Sequence, residues 1–142
     1  MAVTKICGIE TEYGIVIRGT SESNPISASS LLINSYLSTL DDDPSASHPP
    51  TVGWDFEDES PGNDARGESL RLSAAPEIET HLVNAVLTNG ARYYVDHAHP
   101  EYSAPECLDA RQALLYDRAG EEILLRSMAA AKRMLPEGQE LV

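Results

Sequence analysis

From Asp109 to Leu135 the apolar residues recur at helical spacing without a break, and no other stretch of the chain restricts the fold as much. They fall in two adjoining stripes, one through Leu115, Ala119, Ile123, Ala130 and Met134, the other through Leu114, Leu124, Met128, Ala131 and Leu135. Asp109 with Gln112 three residues on predicts a capping box at the start, and Pro136 and Gly138 predict the stop. A helix apolar over so wide an arc must be covered on more than one side.

The rest of the chain supplies little cover. Lys5 to Ile17 runs apolar through Ile6, Ile9, Tyr13, Ile15 and Ile17, punctuated by Gly8 and Gly14, which predicts one or two short strands. Ser27 to Leu40 carries Leu31, Leu32, Ile33, Tyr36, Leu37 and Leu40 behind serines able to cap, which predicts a helix of about three turns. His81 to Thr88 reads as a short helix or an apolar strand closed by the turn pair Asn89-Gly90, and Ala91 to Asp96 as a strand. Between Asp41 and Pro76 acids, serines and prolines dominate around a lone Trp54. Such composition buries too little to offset chain entropy, so a long mobile insertion loop is expected over 41–76. With that segment outside the core the chain reads as incomplete.

Charge narrows the class. A formal net charge of −13 disfavours direct binding to nucleic acid or to an anionic membrane, since both need a basic face. No apolar run approaches the roughly 20 residues that span a bilayer. Met1 to Ile6 lacks the apolar core of a secretory signal, which predicts a cytoplasmic, reduced protein. Cys7 and Cys107, without Cys-x-x-Cys spacing, read as buried free thiols.

Strand parity then selects residues. In Ala91-Arg-Tyr-Tyr-Val-Asp96 a period of two puts Arg92, Tyr94 and Asp96 on one face, and in Gly8-Ile-Glu-Thr-Glu-Tyr-Gly14 it pairs Glu10 with Glu12. If those faces meet, three carboxylates converge, and a shielded cluster of that kind needs a cation. Hard ions such as magnesium take oxygen ligands of this type, usually together with substrate phosphates. Glu101, past His99-Pro100, offers a fourth oxygen from the loop leaving the strand, and Arg92 beside a cation can clamp a phosphate. Acids on an exposed strand face are also commonly just solvated, so spacing leaves both readings open. His97 and His99 form a weak zinc pattern and read as ordinary loop histidines.

The two segments together carry a resemblance. Gly8-Ile-Glu-Thr-Glu-Tyr-Gly14, followed by Leu87-Thr-Asn-Gly-Ala-Arg-Tyr-Tyr-Val-Asp-His-Ala-His-Pro-Glu-Tyr-Ser-Ala-Pro-Glu106, resembles the family of Pup ligases and depupylases, which is related to glutamine synthetase. The resemblance implies an α+β fold, a curved antiparallel sheet with helices on its convex face, of which only the amino-terminal part is present. It implies ATP and magnesium on the concave face. By motif it places metal ligands at Glu10, Tyr94 and Glu101 with Glu12 as a neighbour, a nucleotide-binding arginine at Arg92 and the catalytic aspartate at Asp96.

Within the family, Val95-Asp-His-Ala-His-Pro-Glu-Tyr-Ser103 and an insertion matching Trp54 to Pro61 and Asp64 to Gly67 are similar to the depupylase branch. That branch hydrolyses the side-chain amide or isopeptide bond at the carboxy-terminal residue of the modifier Pup, so Pup and pupylated proteins are the implied partners. The implied adenine pocket, further metal ligands and carboxy-terminal domain have no counterpart in these residues. The remainder of the catalytic domain is then expected on a longer or a second chain, and this piece is expected to be inactive by itself. The alternatives are a Pup–protein ligase and a non-catalytic fragment or regulatory module.

Overall fold

The computed structural model describes residues 5–21, 23–41 and 83–142. In chain order these form β1 (Glu10–Glu12), β2 (Ile17–Arg18), α1 (Pro25–Asp41), β3 (Asn84–Val86), β4 (Arg92–Asp96), β5 (His99–Ser103), α2 (Ala110–Ala131) and β6 (Glu140–Leu141). An antiparallel sheet of order β1-β5-β4-β3 carries both helices on one face, and β2 pairs with β6 in a small separate ribbon. This is the expected α+β arrangement. The expected loop over 41–76 lies, from residue 42 on, outside the described residues.

Alternation along the strands decides which face is core. Tyr93, Val95 and Tyr102 point to the helices and pack with Ile33 of α1 and Ile123 of α2, each strand residue at most 1% exposed. Removing an aromatic side chain of this size from water stabilises the fold by about 1.5–3 kcal/mol. Tyr36 of α1 meets Tyr93 edge to face, with ring centroids 6.2 Å apart, and the Tyr93 hydroxyl lies 3.2 Å from Ser127 Oγ of α2. A second cluster joins Ile15, Ala28, Leu32, Ala131 and Leu141, so the ribbon seals the far end of the helix pair.

Both helix starts are capped, one of them differently from expectation. Asp109 Oδ1 accepts from Gln112 N at 2.9 Å and Gln112 Oε1 accepts from Leu108 N at 3.0 Å, the reciprocal exchange of a capping box shifted by one donor. In α1 the cap is Asn24, whose Oδ1 accepts from Ile26 N and Ser27 N, with Pro25 in the first turn where its missing N–H costs nothing. The serines lie inside the helix. Ser29 and Ser35 turn their hydroxyls onto carbonyls a turn back, and Ser29 Oγ also lies 2.8 Å from Ala98 O.

The two apolar stripes of α2 are only partly covered. Ile123, Ala130 and Ala131 are buried, whereas Leu114 and Leu115 are more than half exposed, as is Met134, which lies beyond the end of the helix at Ala131, short of the expected Leu135. Gly120 does what no larger residue could: a Cβ there would stand 2.5 Å from Tyr102 Cδ1. The cysteine reading needs correction, for Cys107 is buried but Cys7 is exposed.

Candidate functional site

The sheet face turned away from the helices is polar, and its register explains why. Glu12 lies opposite Glu101, Glu101 opposite Tyr94, and Tyr94 opposite Asn84, which forms one row across four strands. The next row holds Glu10, Ser103 and Arg92, and beyond the first row on the other side Asp96 faces His99. Directly opposed residues share a face and alternate residues return to it. Every sequence-selected residue, Glu10, Glu12, Arg92, Tyr94, Asp96 and Glu101, therefore stands on this one surface.

Glu101 sits at its centre, and its setting differs from the expected loop: it is the middle residue of β5, only 2% exposed. Tyr94 Oη donates to Glu101 Oε1 at 2.5 Å. Burial first, then the carboxylates of Asp96 and Glu10 and a hydrogen bond with Asp96, together push the Glu101 carboxyl up to about 7, against the opposing hydrogen bond from Tyr94. The Tyr94 phenol is driven well above its ordinary value by burial first and then by Glu101, so it remains a neutral donor. The Arg92 guanidinium lies 3.8 Å from the Tyr94 ring centroid while its Nε donates to Asn84 Oδ1 at 2.9 Å. Ser103 Oγ donates to Glu10 Oε1 at 3.0 Å.

A two-residue hairpin positions Asp96. His97 and Ala98 both take left-handed backbone, φ 44° and 66°, where Asn-Gly is the usual solution. Neither residue tolerates it freely. Two contacts hold the turn: His97 N donates to Asp96 Oδ1 at 3.0 Å, and the Ala98 carbonyl accepts from Ser29 of α1. The turn brings His97 Nδ1 within 3.4 Å of Asp96 Oδ2 and 3.6 Å of Glu12 Oε1, while His99 Nδ1 is 3.0 Å from Glu12 Oε2. Glu12, Asp96 and His97 thus have ligand atoms within 4.8 Å of one another.

His97 and His99, which read from sequence as ordinary loop histidines, belong to this surface, as do Ser103 and Asn84, which the sequence does not single out. For His99 and Ser103 the signal was parity along β5, obscured by Pro100; Asn84 shows only through the β3–β4 register. A separate cavity of about 370 Å³ on the helix side, lined by Asn89, Glu106, Gln112, Leu115, Tyr116 and Ala119, contains none of these groups.

As chemistry, the surface offers three carboxylates and a phenol as hard oxygen donors, an arginine beside them and an aspartate at the rim. Oxygen sets of this kind fit magnesium, and a carboxyl held near 7 by burial and by neighbouring anions gains most from a cation. Among the described residues no helix is long and apolar enough to cross a membrane.

Comparison with known proteins places the chain. The chain is 45% identical over 132 residues to the depupylase of Acidothermus cellulolyticus, covering 89% of this chain and 25% of that protein. It is 49% identical over 136 residues to the Pup–protein ligase of Sanguibacter keddieii, covering 95% of this chain and 22% of that protein. It thus spans about a quarter of the length of these relatives. The crystal structure of the complex between the prokaryotic ubiquitin-like protein Pup and its ligase PafA superposes with a TM-score of 0.54 at 20% identity, over 96% of this chain and 21% of that one. That likeness confirms the glutamine-synthetase-like fold, of which this chain spans a part. A model of the family described as Pup-ligase protein matches residues 5–141, and the chain belongs to that family.

Proposed function

We propose that the polar sheet face is the metal- and nucleotide-binding part of a depupylase centre, completed by the remainder of the catalytic domain on a longer or a second chain and acting in the cytoplasm. The single observation that carries this is the row Glu12–Glu101–Tyr94, with Asp96 and Arg92 on the same surface. Glu10, Tyr94 and Glu101, with Glu12 beside them, would hold magnesium, and Arg92 would meet a phosphate of ATP. When bound, magnesium would supply positive charge and ATP would supply phosphate oxygens as further ligands to it.

Asp96 would act on the side-chain amide carbon at the carboxy-terminal residue of Pup, freeing the amine of a pupylated target protein. Its carboxylate either attacks that carbon, forming a mixed anhydride that water cleaves, or takes a proton from the attacking water. The hairpin suits both routes, since His97 N anchors one carboxylate oxygen of Asp96 and so fixes the position of the other, which lies 3.4 Å from His97 Nδ1. The depupylase reading is favoured over ligation by the segments Val95 to Ser103 and Trp54 to Pro61, which resemble that branch. Ligation remains the second reading because a Pup–protein ligase matches as much of this chain.

The test is cleavage of a Pup–protein conjugate by the intact enzyme, with Asp96→Asn beside wild type. Asn keeps the oxygen that accepts from His97 N but not the anion, so loss of cleavage with an unchanged circular dichroism spectrum is expected. Wild-type turnover in the variant refutes the assignment. Conjugate formation at the expense of ATP, without cleavage, selects the ligase. If the 142-residue chain and the intact protein both fail to bind nucleotide, a regulatory module without a catalytic centre replaces both readings.

A further inference from the structure

Cys7 and Cys107 stand a hundred positions apart in the chain and directly opposite each other in the fold, joined by an isolated antiparallel bridge. Cys7 N donates to Cys107 O at 3.0 Å and Cys107 N donates to Cys7 O at 2.7 Å. A pair that exchanges both bonds has its Cα atoms about 5.5 Å apart, within the roughly 4.4–6.8 Å that a disulfide spans, and its side chains leave on the same face. The pair is separated from the main ladder by a bulge. Glu10 faces Ser103 and Ala104 N donates to Ile9 O, but Cys7 faces Cys107, so Gly8 alone opposes Pro105 and Glu106.

The two thiols differ in access. Cys7 is exposed and reachable by a small reagent, while Cys107 is fully buried, its Sγ 3.0 Å from Pro105 O. Burial, reinforced by Cys7 and Asp109, raises the Cys107 thiol, so it stays protonated until a partner sulfur is presented to it. The position matters mechanically. Among the described residues strand β1 is a three-residue sheet edge with β5 as its one neighbour, and it carries Glu10 and Glu12. Cys107 lies two residues before the Asp109 cap of α2.

We propose that Cys7 and Cys107 form a reversible disulfide that fastens the edge strand β1 to the segment entering α2, with a low-molecular-weight disulfide as oxidant. The Cys7 thiolate attacks one sulfur of the small disulfide and expels its first half as a thiol, leaving a mixed disulfide on Cys7. Cys107 then loses its proton to solvent, attacks Cys7 Sγ and expels the second half. Two protein thiols are oxidised, one small disulfide is reduced to two thiols, and protons balance. Side chains of a hydrogen-bonded pair stand wider apart than those of the alternate pairs, so the bridge is strained and reducing thiols reopen it. Closed, it holds Glu12 in register with Glu101, whatever ligand the polar face takes.

The experiment treats the 142-residue chain with oxidised glutathione and reads intact mass, a non-reducing peptide map and the melting temperature. A loss of two hydrogens without a glutathione adduct is expected, with the Cys7 and Cys107 peptides joined and the melting temperature raised by several degrees, because the bridge closes a long loop. Dithiothreitol should reverse all three. Cys107→Ser should stop at a glutathione adduct on Cys7 with no rise in melting temperature. A stable adduct on Cys7 in the wild type, disulfide-linked dimers, or a bridge that leaves the melting temperature unchanged would each overturn the proposal.

Discussion

Gly120→Ala is expected to destabilise the fold, although in an isolated helix the same change would stabilise it. Gly120 is buried in the middle of α2, where an added Cβ would lie 2.5 Å from Tyr102 Cδ1 and 2.9 Å from Cγ and Cε1. Tyr102 has nowhere to go: it is 1% exposed, its hydroxyl accepts from Asn89 Nδ2 at 2.9 Å, and its backbone is paired on both sides, to Thr11 and to Tyr93. Overpacking of this kind costs about 1–3 kcal/mol. Alanine returns about 0.8–1.0 kcal/mol of helix propensity. Because Tyr102 cannot move aside the upper end of the overpacking cost applies, and the net loss is about 2 kcal/mol, a fall in melting temperature of about 7 °C for a chain of this size. Thermal unfolding followed by circular dichroism measures it, with Gly14→Ala, where nothing lies within 4 Å, as the neutral comparison. The penalty should shrink or vanish in a Tyr102→Leu background. A Gly120→Ala chain as stable as wild type, or a penalty unchanged by Tyr102→Leu, would refute the reasoning.

Two further outcomes follow from particular groups. Glu101 is raised from 4.5 to about 7, so the folded state holds its proton more tightly than the unfolded chain does. This contribution is fully present below about pH 4.5, falls as pH rises toward 7 and is constant above, at most about 3 kcal/mol at 1.36 kcal/mol per unit. The difference in urea midpoint between wild type and Glu101→Gln should therefore change between pH 4.5 and 7, and parallel curves would contradict it. Asp109→Ala should cost about 1 kcal/mol through the lost cap, with Asp109→Asn largely spared; equal losses in both would point away from capping.

Much of the polar face was legible because parity is strict: Arg92, Tyr94 and Asp96 had to share a face, as did Glu10 and Glu12, once both segments were strands. The start of α2 was legible because Asp109 and Gln112 are local capping chemistry. Where tertiary structure overrides local preference, reading failed. The turn His97-Ala98 carries none of the Asn-Gly signature of its backbone, and Pro100 argues against a strand, so local pattern reads β5 as a loop and Glu101 as a loop residue. Pro100 is accommodated because the Tyr13 N–H comes to its carbonyl rather than asking for an N–H. The cap of α1 went to Asn24 instead of the serines because serine hydroxyls inside a helix can return to its own carbonyls. Strand β6 and the Cys7–Cys107 bridge depend on pairings a hundred residues or more apart in sequence, which no local pattern records.

Cation binding tests the central claim most directly, with manganese as a paramagnetic stand-in for magnesium, followed by electron paramagnetic resonance on the chain. Wild type should bind manganese saturably and release it to magnesium. Glu101→Gln, which keeps an oxygen for the Tyr94 hydroxyl but removes the charge, should weaken binding by about tenfold or more, as should Glu10→Gln. Manganese affinity equal in wild type and both variants would contradict a cation site on this face.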